Sequence, residues 1–245
     1  MIELYQKIFL ISAIFLTVAG CKNTKDEVID FKYEYYPLEP GHWIEYDVDS
    51  IIFSDIALPT VIIDTISYQI REEIASTFYD NEGRETYRIE RFRRNSDDDA
   101  WIINRVWSLN FETNNLQKVE DDLRFVKLVF PPRRNKKWLG NTFIQTTEEL
   151  EYLEDWEYKY SEIDEPLSIA GISFDSSLTV LQEADSTLLE KTYSIERYAK
   201  NVGLVYKELQ VLETQRTDPQ GILLPFELKA QRGFIFRHQI RDYKK

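Results

Sequence analysis

Cysteine and histidine, which often act as nucleophiles, bases or metal ligands, are scarce in this 245-residue chain. There is one cysteine, Cys21, and there are two histidines, His42 and His238. No Gly-x-Ser-x-Gly segment, which would expose a serine nucleophile at a sharp turn, is present. His42 begins a predicted strand and His238 lies on an apolar parity between Phe236 and Ile240. We interpret both histidines as hydrogen-bonded structural residues; the alternative is a zinc site that takes its other ligands from carboxylates.

Carboxylates are abundant and set the charge of the chain. With 43 acidic and 30 basic residues the formal net charge is −13, which would repel a nucleic-acid backbone, so we predict no nucleic-acid partner. A carboxylate pair could hydrolyse a glycosidic bond, but no pair stands out from the others. Asp97–Asp99 and Asp121–Asp122 lack the spacing of a calcium-binding loop and are interpreted as solvated turns. We predict no catalytic residue, metal site or cofactor.

Basic and aromatic side chains offer two further binding hypotheses. Two basic islands could contact lipid headgroups or an acidic polymer, although pairing with glutamates on neighbouring strands is the interpretation we favour. The islands are Arg88, Arg91, Arg93 and Arg94, and Arg133, Arg134, Lys136 and Lys137. Aromatic residues, 14% of the chain, could stack on sugars or line an acyl-chain cavity, but on the inward parity of a wide sheet they normally form the core. The residues concerned are Trp43, Trp101, Trp107, Trp138, Trp156, Tyr152, Tyr158 and Tyr160.

The sequence around the cysteine predicts lipidation. Residues 1–7 are followed by an apolar run over 8–18, which is shorter than the roughly 20 residues of a membrane-spanning helix and typical of a signal-peptide core. Val18-Ala19-Gly20-Cys21 then resembles the lipobox of bacterial lipoproteins. The resemblance implies cleavage after Gly20, which makes residues 1–20 the signal peptide, and a diacylglycerol attached to the sulfur of Cys21.

Lipidation of Cys21 predicts a chain anchored in the cell envelope, because two or three acyl chains bind a membrane stably whereas one binds only marginally. Lys22 stands where an aspartate marks inner-membrane retention in many enteric lipoproteins, so the resemblance implies the outer membrane, on its periplasmic face or at the cell surface. Lys25-Asp26-Glu27 is similar to a surface-export signal of Bacteroidota-type lipoproteins; a charged tether is the alternative. We interpret residues 21–32 as the lipidated cysteine and a polar tether.

Residues 33–245 are predicted to form a single all-β domain. Apolar and polar residues alternate with the period of a strand that has one wet face, as in Ile44, Tyr46 and Val48. Nine or ten such strands, joined by short turns, predict a large curved antiparallel meander. Because one face is apolar, the sheet must curl over that face or pack against a second sheet, which gives a half-barrel or an open sandwich.

Several elements can be placed individually. Residues 66–78 are predicted to form a strand, and the turn Asp80-Asn81-Glu82-Gly83 leads into a second strand with a bulge near Glu90 or Arg91. Leu116 to Phe130 is interpreted as one returning strand, with a parity break between Phe125 and Val126.

The later part of the chain continues the pattern. Two prolines and four like charges over 131–137 predict a connection between distant parts of the sheet and a subdomain break near 131–141. Tyr152 to Tyr160 is interpreted as one strand, and Asp218-Pro219-Gln220-Gly221 as a turn.

Three segments resemble uncharacterised β-rich envelope lipoproteins of Bacteroidota. Residues 37–46 (PLEPGHWIEY) are similar to their "PL..G..W.Y" opening, 137–141 (KWLGN) to their "W.GN", and 198–208 (YAKNVGLVYKE) to their "YA..VG.VY.E". These are turn and core patterns, so the resemblance implies a shared fold and no particular chemistry.

The sequence therefore predicts a lipid-anchored, non-enzymatic envelope protein whose β-domain binds or scaffolds an envelope protein or another partner. One alternative is a carrier that holds a lipid or another hydrophobic ligand in a half-barrel cavity. A second alternative is an envelope hydrolase with a carboxylate pair.

Overall fold

The computed structural model describes residues 29–57, 60–216 and 224–244, and residues 31–245 form one compact unit. The predicted signal peptide, Cys21 and the turn at 218–221 lie outside the described residues. Twelve strands are described: β1 Trp43–Ser54, β2 Ile62–Tyr79, β3 Glu85–Arg94, β4 Ile102–Glu112, β5 Asn115–Glu120, β6 Leu123–Val129, β7 Lys137–Leu139, β8 Glu157–Ile169, β9 Ile172–Ser186, β10 Glu190–Ala199, β11 Gly203–Glu213 and β12 Arg232–Tyr243. Short 3₁₀ helices span Tyr33–Tyr35 and Glu148–Leu153, and a one-turn helix, α1, spans Phe226–Lys229.

All twelve strands belong to one sheet in the order β6-β5-β4-β3-β2-β1-β12-β11-β10-β9-β8-β7, and the recorded strand pairings are antiparallel. The predicted all-β antiparallel meander is therefore confirmed. The predicted count of nine or ten strands was too low, and the sheet curls further than a half-barrel, into a nearly closed barrel.

The two edge strands approach each other and almost close the barrel. The backbone N–H of Val126 on β6 donates to the carbonyl of Gly140, just after β7, at 2.8 Å, and Trp138 Nε1 donates to the Val126 carbonyl at 2.8 Å. The charged segment 131–136 joins these two edges. It is thus a connection between distant strands of the sheet, as its prolines and charges predict.

Two segments differ from their predicted structure. Leu116 to Phe130 is two strands, because Asp121 and Asp122 both take left-handed backbone angles, φ 46° and 67°, and form a two-residue turn. Aspartate tolerates this conformation better than most residues, and such turns match the twist of a hairpin. Tyr152 lies in the second 3₁₀ helix, and β8 begins only at Glu157.

Bulges change which face of the sheet some side chains occupy. The β5–β6 register shifts so that Leu116 pairs with Leu128 and Gln117 with Val126, which leaves Lys127 as an extra residue on β6, next to the predicted parity break. The β3–β4 register shifts between Arg91 and Phe92, where a bulge was predicted, and the extra residue is on the partner strand β4.

The core of the described chain consists of three clusters of buried residues. Its largest cluster of buried residues joins the aromatic side chains of β8 to Tyr35 in the N-terminal 3₁₀ helix and to Tyr198 and Leu204 beside the β10–β11 turn. Tyr35 is fully buried and its hydroxyl bonds Asp164 and Ser176, each at 2.7 Å. The N-terminal segment therefore covers the end of the sheet at which the β10–β11 turn lies.

Candidate functional site

A network of charged side chains crosses the interior of the barrel; we call it the buried ion network. It consists of four basic and three acidic residues, Arg91, Lys118, Lys127 and Lys207 with Glu72, Glu120 and Glu196. These residues come from β2, β3, β5, β6, β10 and β11. Because β5 and β11 are separated by five strands in the sheet order, their contact is made possible by the curling of the sheet.

The ion pairs of the network are close and shielded from water. Lys127 Nζ lies 2.5 Å from Glu196 Oε1, and these side chains are only 4% and 0% exposed. The Tyr198 hydroxyl donates to the other Glu196 oxygen at 2.5 Å. Lys207 Nζ bridges Glu120 at 3.4 Å and Glu196 at 3.7 Å. Since buried charges are costly unless they are paired, this connectivity is what makes the charged interior tolerable.

Lys118 and Arg91 share Glu72 in the second part of the network. Lys118 Nζ lies 2.9 Å from Glu72 and 3.1 Å from Glu120. Arg91 Nε lies 3.6 Å from Glu72, which is too far for a hydrogen bond, and this buried N–H has no partner among the described residues. With all groups ionised, the seven side chains carry one positive charge in excess.

The surroundings favour the charged forms of Lys118, Glu120 and Glu196. Burial by itself would raise the pKa of Glu120 and Glu196, but the lysines outweigh burial, and the pKa of each carboxyl lies below its usual range. Burial would lower the pKa of Lys118, but Glu72 and neighbouring groups raise it well above its usual range. A general acid in hydrolysis needs a raised carboxyl pKa, so Glu120 and Glu196 are poorly suited to that role.

His238 borders the network and has no polar partner. Its residue is 3% exposed, and neither ring nitrogen has a hydrogen-bond partner within the part of the chain that is described. It is directly opposite Lys207 in the β11–β12 register, and its ring packs against those of Phe236 and Tyr46 at 4.6 and 5.5 Å between centroids. The prediction that His238 is a hydrogen-bonded structural residue is therefore wrong, because apolar rings occupy the places of its polar partners.

Beyond His238 the inner face of the sheet carries a group of apolar side chains, together with Ser50 and Asp64. Residues directly opposite each other in the register share a face of the sheet. The inner face that carries Val48 and His238 therefore continues along the strands, away from the network, with partly exposed side chains. We call this set the apolar mouth: Ile52, Ile66, Val211, Phe234 and Phe236. Ile52 and Ile66 are 44% and 43% exposed. The mouth lies at the end of the barrel opposite to the β10–β11 turn.

The basic islands are distributed over both faces of the sheet. Cross-strand pairing with acids is confirmed for Arg91 with Glu72. Arg134, in the connection between β6 and β7, pairs with Glu165 at 3.1 Å, and Arg88 pairs with Glu90 on its own strand. Arg93 and Arg94 lie over the rings of Tyr68 and Trp101, and Arg94 also pairs with Asp97. Lys136 donates to the Phe130 carbonyl and Lys137 pairs with Glu157.

The aspartate clusters already have protein partners. Asp97 pairs with Arg94 and Arg241, each at 2.7 Å, and Asp99 accepts from the Ser96 backbone and hydroxyl. Asp121 pairs with Arg105 at 3.0 Å. In the described part of the chain, no three His, Cys, Asp or Glu side chains are grouped so that they could hold a metal ion.

Most of the singled-out aromatic residues belong to the core. Trp107, Trp156, Tyr158 and Tyr160 are buried in the largest cluster, and Trp138 and Tyr152 pack against it. Trp43 and Trp101 are partly exposed and each lies beneath an arginine, Arg71 and Arg94 respectively. The interpretation of the inward aromatic residues as core is thus confirmed, although Trp107 also contacts the cations Arg91 and Lys118.

His42, in contrast to His238, is hydrogen-bonded as predicted. Its Nε2 donates to the Val202 carbonyl at 2.8 Å, which ties the start of β1 to the β10–β11 turn. Across the described residues, no helix has both the length and the apolar character required to cross a membrane.

Sequence reasoning missed most of the buried ion network, although a signal was present. Glu72 lies between Ile70 and Ile74 in an otherwise apolar stripe, so it shares their inward parity. Lys207 likewise lies between Val205 and Leu209 on β11. A charged residue that interrupts an apolar stripe is the pattern that could have identified these positions.

Comparisons with known proteins add little to this description. No family model matches the chain, and no curated protein sequence matches it. Among solved structures it is similar to a protein of Bacteroides fragilis described as a candidate exported protein with a YmcC-like fold. The TM-score is 0.38 and the identity 8%, over 89% of this chain and 100% of the other. The function of the chain must therefore be argued from its own residues.

Proposed function

We propose that this chain is a lipid-anchored protein of the cell envelope whose β-domain binds a partner and catalyses no reaction. The observation that carries the proposal is the lipobox-like Val18-Ala19-Gly20-Cys21 directly after an apolar run of signal-peptide length. The acyl chains on Cys21 hold the protein in the outer membrane, on its periplasmic face or at the cell surface, and the polar residues after it separate the domain from the lipid.

The interior supports a binding role better than a hydrolytic one. The pKa values of Glu120 and Glu196 are lowered by the lysines around them, so neither carboxyl is a proton donor near neutral pH. The second alternative from the sequence, a hydrolase with a carboxylate pair, thus has no support from Glu120 or Glu196.

Metabolic labelling with an alkyne fatty acid in a bacterial host tests the anchor. We expect the unmodified chain to be labelled and to fractionate with the outer membrane, and Cys21→Ala to lose both the label and the membrane association. Lys22→Ala is the matched control, because it alters the adjacent residue, leaves the cysteine intact and should still be labelled. Labelled Cys21→Ala protein would contradict the proposal, and protease treatment of whole cells would distinguish the cell surface from the periplasmic face.

A carrier of hydrophobic ligands is the second candidate, and the apolar mouth favours it. Ile52 and Ile66 face the interior side of the sheet and yet remain more than two-fifths exposed, so the described chain does not bury them. Exposed apolar side chains inside a curved sheet can contact the hydrocarbon of a ligand, with a gain of about 0.8 kcal/mol for each methylene that is buried.

A further inference from the structure

The buried ion network has one more cation than anion. Its seven residues pair only with one another among the ion pairs of the described chain, and they comprise four cations and three carboxylates. An uncompensated charge inside a protein is costly, and a bound anion of charge −1 would compensate this one.

Arg91 is the cation with the weakest pairing. Each lysine of the network has a carboxylate oxygen within 3.4 Å, whereas Arg91 Nε is 3.6 Å from its nearest carboxylate and makes no hydrogen bond. Arg91 is nonetheless 8% exposed and lies against the Trp107 ring. A guanidinium N–H is a strong donor to carboxylates, so this buried donor has unused binding capacity.

His238 supplies a second buried donor on the same side of the sheet. Neutral imidazole carries one N–H, and neither ring nitrogen of His238 has a partner among the described residues. His238 is directly opposite Lys207 in the β11–β12 register, and burial of its ring, together with the positive charges of Lys207 and Arg91, lowers the pKa of His238 well below its usual range. Two unpartnered donors and an excess positive charge therefore occur in one region.

The apolar mouth begins next to His238. The Phe236 ring packs on the His238 ring, and Phe234 follows on the same inward parity. Phe234 and Phe236 are only half-buried, and Ile52, directly opposite Phe234, is exposed. Along β12 the inward side chains thus change from His238, which is opposite Lys207, to the apolar Phe236 and Phe234. An amphiphile with a negative end would require such a change.

We propose that the interior binds a fatty acid, with its carboxylate between Arg91 and His238 and its hydrocarbon chain along the apolar mouth. This inference rests on the carrier function proposed above. A carboxylate matches the single excess charge, whereas a phosphomonoester would bring a charge of about −1.5 to −2 and leave the interior negative.

Displacement of the uncharged fluorophore N-phenyl-1-naphthylamine from residues 31–245 tests the proposal, since this unit contains the entire described core. The competitors are dodecanoate, 1-dodecanol, dodecyltrimethylammonium and dodecyl phosphate, which share one chain length. We expect dodecanoate to bind about 10- to 100-fold more tightly than dodecanol, the range for hydrogen bonds to a charged group, and the cationic amphiphile to bind most weakly.

Arg91→Gln should remove most of this preference, because it weakens the binding of dodecanoate much more than that of dodecanol. The variant is expected to fold, because it leaves three cations with three carboxylates. Arg88→Gln is the matched control, since Arg88 lies three residues earlier on β3, on the opposite parity, and pairs with Glu90. It should retain the preference of the unmodified protein. His238→Phe, which removes the second donor, provides an independent variant and should also weaken dodecanoate selectively.

The outcomes separate the two proposals. Equal affinities of the unmodified protein for dodecanoate and dodecanol would overturn the carboxylate site and leave the carrier function standing. Absence of displacement by all four amphiphiles would overturn both. Tighter binding of dodecyl phosphate than of dodecanoate would overturn the carboxylate as the preferred headgroup, and an unchanged preference in Arg91→Gln would overturn the role of Arg91.

Discussion

Replacing one member of the Lys127–Glu196 pair is expected to destabilise the domain strongly. The two side chains are 4% and 0% exposed and 2.5 Å apart, so Glu196→Gln leaves Lys127 with no carboxylate at comparable distance, and Lys127→Met leaves Glu196 with Lys207 at 3.7 Å. Breaking a buried pair in this way costs about 3–5 kcal/mol. With an m-value of about 3 kcal/mol/M, the urea midpoint should fall by about 1–1.7 M.

The double variant Lys127→Met/Glu196→Gln separates the pair interaction from other effects. It removes both charges and preserves the overall charge of the network, so we expect it to cost about 2–3 kcal/mol less than the sum of the two single variants. Urea unfolding followed by tryptophan fluorescence measures all four proteins of the cycle.

The exposed pair Lys137–Glu157 is a matched control for this cycle. It has the same residue types and the same 2.5 Å separation, but its side chains are 56% and 52% exposed. Breaking it should cost less than about 1 kcal/mol. Two results would refute the assignment of a buried ion network. The single variants at Lys127 and Glu196 could be no more destabilising than those of the control pair, or the effects in the cycle could be strictly additive.

Two further predictions concern His238 and Gly140. The pKa of His238 is lowered in the folded chain, so near pH 6.5 the unfolded chain binds a proton that the folded chain does not. The contribution of His238 to stability is therefore complete above that pH. It is lost as the pH falls, by up to about 1.4 kcal/mol per pH unit. Urea midpoints measured at several pH values should therefore decline below pH ~6.5 in the unmodified protein and change less in His238→Phe; equal slopes would contradict the buried neutral state. A Cβ at Gly140 would lie 2.3 Å from the Tyr158 ring, so Gly140→Ala should overpack the core at a cost of about 1–3 kcal/mol. A melting temperature within about 1 °C of the unmodified value would show that this close contact is absent.

Local patterns in the sequence were sufficient for the strand architecture. Alternation places every second residue on one face, so the strands around Ile44, Tyr46 and Val48 could be recognised without knowledge of their neighbours. The charged, proline-containing segment after Phe130 likewise predicts a connection rather than a strand, because proline lacks the donor that a ladder needs. Asp121–Asp122 was interpreted as a solvated turn, and yet Leu116 to Phe130 was interpreted as one strand. Aspartate pairs signal a chain reversal less strongly than glycine does, and the apolar parity continues on either side.

The candidate site depends on tertiary structure in a way that no local pattern reveals. Alternation assigns Glu72, Lys207 and His238 to a face, but it does not say which residues are across the interior from them. Those contacts form because the sheet curls until β5 meets β11, and the curvature results from the sum of twist, bulges and packing over all twelve strands. Lys127 enters the network through a bulge, which shifts a side chain out of the parity expected from its neighbours. The sequence by itself therefore determined the antiparallel strands and predicted the lipid anchor at Cys21, whereas only the closed tertiary structure decided which charges are paired, which cation is in excess and where the apolar mouth lies.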